Sequence, residues 1–235
     1  MTRDFDLGGE IRPWGRRADE YEAFFALHDA PLNSRILDCA GGPASFAAEW
    51  GSRGHSVVAA DPIYALSADD IAGAFDSTAI SMLAGMRQAH ARFRWDRYGS
   101  PEAVVEGRGE ALRLFLDDLQ SPSPAARYVA AALPSLPFRA DSFDMVLCSH
   151  YLFLYSDELD LGAHLAALQE LLRVGREVRV YPLLDMAGVR SVHLDPCVAE
   201  LSRFAEVEIV PVPFEFRMGD TSMLRIRRMA GRPPR

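Results

Sequence analysis

Residues 35–40 (RILDCA) are a short apolar run that gives way to glycines, the pattern of a buried strand ending in a turn. Helical spacing follows over 44–50 and ends near Gly51 and Gly54. A second apolar run, 55–60 (HSVVAA), then closes on Asp61-Pro62. Strand, glycine turn, helix and a strand with an acid at its end make half of a doubly wound α/β sheet. Upstream, residues 17–28 place Tyr21, Phe24, Phe25 and His28 on one helical face, before a break at Pro31 and Asn33.

The rhythm changes over 65–126. Residues 69–93 and 101–119 have helical spacing, and the run Ser-Pro-Ser-Pro at 121–124 is a breaker. This stretch far exceeds the dozen or so residues a helical crossover needs, which predicts a helical insertion over the sheet edge. Strand patterns resume at 127–131 and, most clearly, at 143–149 (FDMVLCS). Leu161, Leu165, Leu168 and Leu172 then mark a helical stripe, 177–183 another strand, and 196–204 a short helix. Segments 207–212 and 223–228 follow each other closely enough to pair antiparallel at the sheet end. The expectation is a single α/β domain: a Rossmann-like, doubly wound, mostly parallel sheet of about seven strands with an antiparallel C-terminal strand. It would carry an N-terminal lid helix within 1–30 and the insertion at 65–126.

Size and charge narrow the chemistry. The chain has 235 residues, suited to one large domain, and its 25 basic residues are all arginine against 33 acids, a net charge of −8. Without lysine there is no Schiff base, no P-loop lysine and no SxxK nucleophile. The acidic balance argues against nucleic acid or an anionic membrane as partner. Cys39, Cys148 and Cys197 are an odd, widely spaced set that suits a reducing compartment. The chain start lacks an apolar signal core and no run is long enough to span a bilayer, so the expected location is cytoplasmic. The histidines and cysteines show no metal-ligand spacing.

The chemistry concentrates in Asp38-Cys39-Ala40-Gly41-Gly42-Pro43-Ala44 and in Asp61. Glycines after a buried strand let a ligand approach the backbone, and the next helix N-terminus offers free N–H groups. An acid ending the second strand suits a ribose diol, so a nucleoside ligand is expected at the strand ends. The dinucleotide fingerprint G-x-G-x-x-G fails, because its positions read Ala40-Gly41-Gly42-Pro43-Ala44-Ser45. An acid ending the first strand also opposes a pyrophosphate, whereas it suits a ligand with an ammonium and a sulfonium. The alternative reading of both acids is loop capping at strand ends.

Here the chain resembles the class I S-adenosylmethionine-dependent methyltransferases, with their D/E-x-G-x-G-x-G motif. Asp38 and Gly42 hold their places, while Ala40 and Ala44 replace the outer glycines. Residues 136–146 (LPFRADSFDMV) are similar to the family's L-P-F-x-x-x-S-F-D-x-V, and the resemblance spans about 35–228 around the insertion. Segments 61–64 (DPIY), 149–156 (SHYLFLYS) and 178–184 (VRVYPLL) resemble a bacterial, small-molecule-type branch. The resemblance implies S-adenosyl-L-methionine as cofactor, with Asp38 on its ammonium side. Ala40, Gly41, Gly42 and Pro43 would line the methionine part, Asp61 and Pro62 the ribose, and Ile63 the adenine. The family's adenine-binding acid is replaced by Ala132, which leaves the backbone of Ala132 and Leu133 for that edge. Ser149 would close the cofactor set.

Methyl transfer is a direct displacement, so alignment carries much of the rate and a base is needed only if the acceptor must lose a proton. His150, just past the 143–149 strand, is read as base or acceptor ligand, or else as a packing histidine. The absence of an N-P-P-Y tetrapeptide there weighs against nitrogen methylation of amides or adenine. Trp14, Tyr64, Tyr151 and Tyr155 are candidate walls of a small-molecule acceptor site, with core packing as the plain reading of the last two. Arg17 or Tyr21 of the leading helix is expected to touch cofactor or acceptor, the alternative being a solvated face. Asp185, His193 and Cys197 are placed near the mouth, and Cys39 and Cys148 in the core. The run 93–98 (FRWDRY) reads as a salt-bridged lid. The rival functions are a non-catalytic adenosylmethionine- or adenosylhomocysteine-binding protein and a nicotinamide-dependent oxidoreductase, the second disfavoured by the failed fingerprint.

Overall fold

The computed structural model describes residues 13–31, 33–121 and 127–229. Residues 1–12 of the expected lid and most of the 121–124 breaker lie outside them. A seven-stranded sheet runs in the order β3-β2-β1-β4-β5-β7-β6. Its strands are β1 (Arg35–Cys39), β2 (Ser56–Ala60), β3 (Tyr128–Val129), β4 (Phe143–Ser149), β5 (Gly175–Tyr181), β6 (Ala205–Pro211) and β7 (Ser222–Arg228). The first five are mutually parallel, and β7 runs antiparallel between β5 and β6. The Rossmann-like expectation therefore holds, with two refinements. The 127–131 strand shrinks to two residues. The two C-terminal strands pair as expected, but the later one takes the interior place. Met223, Leu224 and Ile226 of β7 are fully buried, whereas β6 carries Glu206 and Glu208 and alternates towards solvent, so the more apolar strand moves inward.

The helices are α1 (Ala18–Phe24), α2 (Phe46–Ser52), α3 (Ala68–Gln88), α4 (Pro101–Leu119), α5 (Leu161–Val174) and α6 (Leu194–Leu201). Polar side chains start three of them: Ser67 accepts from Asp70 N at 3.1 Å, Ser100 from Ala103 N at 3.2 Å and Asp160 from Ala163 N at 2.8 Å. The leading helix is shorter than its pattern predicts. Ala26 turns left-handed (φ 49°), which ends α1 and leaves His28 exposed rather than on the buried face. The cause lies in β5: the buried Arg179 donates to the carbonyls of Phe25 (2.6 Å) and Ala26 (3.0 Å), satisfying the groups that a terminating helix leaves open.

Strand alternation assigns the two sheet faces. Leu37, Cys39, Val146 and Cys148 pack with α5 and α6, while Ile36, Ala59, Met145 and Leu147 pack with α1 and α2. Asp38 shares the face of Ile36 and so lies under α1. A third apolar group, Ile63, Ile71, Phe75, Leu112 and Phe115, joins the turn after β2 to the insertion.

The insertion extends beyond the sheet edge where it was expected. Its 3-10 turn at His90–Arg92 and the residues after it reach the β6–β7 loop, where Arg94 N donates to Phe216 O (2.7 Å) and Met218 N to Arg92 O (3.0 Å). It thus crosses the carboxyl ends of the strands. Ion pairs fasten it to α1: Arg97 to Asp19 (2.5 Å), Arg17 to Glu110 and, fully buried, Arg108 to Glu20 (Nη2–Oε1 2.7 Å), with Tyr98 also donating to Glu20. The 93–98 run is a salt-bridged cover. Exposed pairs of this kind contribute little, but the buried one cannot be halved cheaply. Burial alone would raise the Glu20 carboxyl, yet Arg108 holds it at about 2 against an ordinary 4.5. Its contribution to stability is complete above the ordinary value and is lost as pH falls towards about 2.

Arg108→Met strands the Glu20 carboxylate and should cost about 3–5 kcal/mol in urea unfolding at neutral pH. Adding Glu20→Gln should recover at least half of that loss. An equal loss in the double variant would show that packing, not charge, governs the junction.

Candidate ligand site at the strand ends

β1 and β2 finish side by side, with Cys39 opposite Ala60, and the chain then turns through two left-handed residues, Ala40 and Gly42 (φ 59° each). Ala40 N donates to Ala60 O at 2.8 Å, which holds the turn against the neighbouring strand. The alanine that replaces a motif glycine therefore keeps a glycine conformation, at a cost of roughly 1–2 kcal/mol for its Cβ. Gly41 is needed for another reason: a Cβ there would sit 2.4 Å from the Asp38 carboxylate.

Asp61 ties the two strand ends together. Its Oδ1 accepts from Ile63 N and its Oδ2 from Gly42 N, both at 2.9 Å, and Pro62 opens the 3-10 turn that Asp61 caps. The capping reading of this acid is thus present in the geometry, and each oxygen retains a further lone pair. Burial raises its carboxyl, against the two N–H donors. Asp38 is 1% exposed, and Tyr21 donates to both its oxygens, at 3.1 and 3.2 Å. Burial lifts Asp38 to about 7; the Tyr21 bond pulls it down and the Asp61 charge pushes it up. The site therefore holds one acid balanced between protonation states near neutrality, with a second beside it. Such an arrangement favours a cation.

Ser149 and His150 complete the same face at the end of β4. Ser149 Oγ lies 2.9 Å from His150 Nδ1, His150 N donates to Tyr181 O at 2.6 Å, and His150 is left-handed (φ 53°). Its ring meets Phe24 and Tyr181 edge-on, each at 5.3 Å. Burial and the charges of Arg16, Arg108 and Arg217 hold the imidazole well below its ordinary value, so it is neutral at pH 7. No described residue bonds its Nε2.

A cover closes over the turn. A Cβ on Gly15 would lie 2.0 Å from Pro43 O, and Ser45 N donates to Arg16 O at 3.0 Å, so residues 13–18 cross the glycine loop in direct contact. Trp14 stacks on Phe75 at 5.9 Å, and Tyr64 donates to Gly42 O at 2.8 Å while its ring packs on Phe115 and Tyr128. Both expected acceptor-site residues thus brace the loop and the insertion. Ile63 is buried beneath the insertion rather than presented at an open face.

Several expected members lie elsewhere. Arg17 points to Glu110 and Asp19 on the surface; the neighbouring Arg16 faces the site, because both precede α1 in non-helical chain, where Arg17 is extended and adjacent side chains diverge. Tyr151 packs on the α5–α6 core, the opposite sheet face from Asp38, with Tyr155 at 6.2 Å from it. Cys197 is fully buried in α6 and away from any mouth. His193 bonds Ser156 O and packs on His164, and Asp185 caps its own turn at Val189 N (2.9 Å). Ala132 O accepts from Ser135 N at 3.1 Å, and Leu133 packs on the first core, so this turn is closed on itself. Asp220 and Arg217, on the β6–β7 loop, were not foreseen; nothing local distinguishes them from other loop charges.

No family model matches the chain. Among curated proteins it is 30% identical over 217 residues, 91% of this chain and 95% of the other, to the "uncharacterized protein MJ0045" of Methanocaldococcus jannaschii. The chain belongs to that protein's family. This relative is archaeal, whereas the sequence resemblance pointed to a bacterial branch. Similar solved structures include magnesium protoporphyrin IX methyltransferase from Synechocystis with bound SAM (11% identity, 87% of this chain and 74% of that one, TM-score 0.44). Others are a TehB-like SAM-dependent methyltransferase from Corynebacterium glutamicum (14%, 85% and 83%, TM-score 0.44) and the 16S rRNA (adenine(1408)-N(1))-methyltransferase from Catenulisporales acidiphilia (14%, 88% and 91%, TM-score 0.45). Among the described residues no helix is long and apolar enough to cross a membrane, and no cluster of His, Cys, Asp or Glu is placed to hold a metal ion.

Ala40→Gly should raise stability by up to about 1 kcal/mol, since relief of the left-handed Cβ exceeds the added chain entropy. The urea midpoint measures it, and a fall would mean that the alanine methyl packs favourably.

Proposed function

We propose that this chain binds S-adenosyl-L-methionine at the ends of β1, β2 and β4 and methylates a small-molecule acceptor. The observation that carries the reading is the pair of acids bracketing a left-handed glycine turn, one of them raised to about 7 and paired with no cation among the described residues. A ligand ammonium beside Asp38 would be attracted to its ionised form, and the free lone pairs of Asp61 suit a ribose diol. The motif resemblance supports the same assignment. A pyrophosphate beside these acids would be repelled, which counts against the nicotinamide reading.

When bound, the cofactor supplies a methyl group on a cationic sulfur, and the carbon–sulfur electron pair remains with the sulfur on transfer. The rest falls to this chain. Gly41, Gly42 and Pro43 shape the floor, while Tyr21 orients the Asp38 carboxylate. Residues 13–18 and the insertion exclude water, which strengthens every charge interaction inside. Because Asp38 is almost wholly buried, a ligand reaches it only when that cover lifts. In the tautomer that donates Nδ1–H to Ser149, His150 presents Nε2 to take a proton from an acceptor hydroxyl or amine. Its neutrality at pH 7 keeps that lone pair free.

Calorimetry should show S-adenosyl-L-methionine binding that tightens as pH rises through about 7 and Asp38 ionises. Asp61→Ala should weaken it by roughly 1–3 kcal/mol. No binding of either S-adenosylmethionine or S-adenosylhomocysteine would overturn the reading and leave both acids as loop caps. His150→Gln should lower kcat at least tenfold with an unchanged cofactor Kd, as expected for a lost general base. Full activity in that variant would remove the histidine from the mechanism.

A further inference from the structure

Arginine is the only strong base in this chain, and most described arginines sit against a carboxylate. Arg16, Arg92 and Arg217 do not, and neither does Arg139, which stands apart on an exposed turn. The first three gather on the cover above the ends of β4 and β5 without a direct ion pair, although Asp220 and Asp185 lie close enough to act on Arg217 and Glu20 on Arg16. Main-chain carbonyls hold each in place: Arg16 donates to Trp14 O at 3.1 Å, Arg217 to Asp185 O at 2.6 Å and Arg92 to Ala187 O. A carbonyl positions a guanidinium without cancelling its charge. The pairing of 92–94 with 216–218 brings Arg92 and Arg217 together; a Cβ on Gly188 would lie 2.9 and 3.1 Å from their respective Nη2 atoms.

Asp220 shares this loop. It is 4% exposed, its main-chain carbonyl accepts from Tyr181 Oη at 2.9 Å, and its Oδ1 has no hydrogen-bond partner. A buried carboxyl oxygen left without a partner costs free energy unless something absent satisfies it. Burial lifts the Asp220 carboxyl to about 7 while Arg217 and Arg16 draw it down, so it is half protonated near neutrality and able to donate. Burial and like charges depress the guanidiniums: Arg16 falls to about 10 through burial and the Arg108 charge, against Glu20, and Arg217 is lowered by burial and Arg92, against Asp220 and Asp185. Arg16 and Arg217 both act on His150, which locates the cluster at the proposed acceptor side.

Resting on the methyl-transfer reading for its place in a reaction, we propose that the acceptor is a small-molecule carboxylate: Arg16 and Arg217 take its anionic oxygens, and the orphan Asp220 oxygen bonds a neighbouring polar group. A planar guanidinium fits a carboxylate with two parallel bonds, and a site covered from water makes them stronger than on the surface. An overall charge of −8 does not oppose this, since the field at a buried cluster is set by its local charges.

The test measures benzoate, phenylacetate and succinate, each beside its neutral amide, by ligand-observed NMR with and without S-adenosylhomocysteine. At least one acid should bind in clear preference to its amide, and Arg217→Gln and Arg16→Gln should each weaken it roughly tenfold to hundredfold. Arg139→Gln should leave it unchanged. Equal binding of acids and amides, no binding of any acid, or full affinity in Arg217→Gln would overturn the proposal. So would displacement by inorganic phosphate in preference to acetate. Because acid binding is read separately from cofactor calorimetry, loss of one with retention of the other shows which of the two readings has failed.

Discussion

Glu20 and Arg108 meet where water is excluded, and the placement of much of the site follows from that contact. The glutamate belongs to a two-turn N-terminal helix and the arginine to the second long helix of the insertion. Apolar contacts seat each helix separately, Tyr21 and Phe24 of α1 in the second core and Leu112 and Phe115 of α4 in the third, and the ion pair joins the two. Their charges must be paired once buried, because an isolated ion there would cost several kcal/mol. Pairing them helps fix α1, which carries Tyr21 on to Asp38, and the segment just before it, which takes Arg16 towards His150. One buried ion pair thus orders residues belonging to both halves of the proposed chemistry.

Beneath the cover, charge is distributed unevenly. Acids lie at the ends of β1 and β2, both lifted by burial, and arginines without a direct ion pair lie above β4 and β5. A neutral histidine stands between them. A chain with a large acidic excess has thus placed arginines on one side of His150 and two buried acids on the other, the separation on which the proposed pairing of a cationic cofactor with an anionic acceptor rests. The backbone shares in this: Ala40, Gly42 and His150, at the ends of adjacent strands, are all left-handed. Their strain is held by the parallel ladder beneath them.

Much of this was legible in order along the chain. The strand–turn–helix–strand unit, the excess length between the second and third strands and the paired C-terminal strands all come from local periodicity and turn chemistry. Asp38, Gly42 and Asp61 stood out because strand-end acids flanking glycines have few other uses. Where the structure places residues apart from the expected grouping, the reasons are non-local. Arg17 and Arg16 are equivalent in sequence, and only the seating of α1 chooses between them. Tyr151 shares a segment with His150 but packs on the other sheet face. Cys197 lies on the buried side of α6, which the short pattern around it could not reveal.

Local pattern alone determined that this is a doubly wound sheet with a glycine turn between two acids, because side-chain period and turn propensity act within a few residues. The tertiary structure decided that β7 enters the sheet interior, that the insertion crosses the strand ends, and which arginines remain without a direct ion pair. Those outcomes depend on burial and on charges meeting across long stretches of chain. Their energies exist only once water has been removed from between the partners.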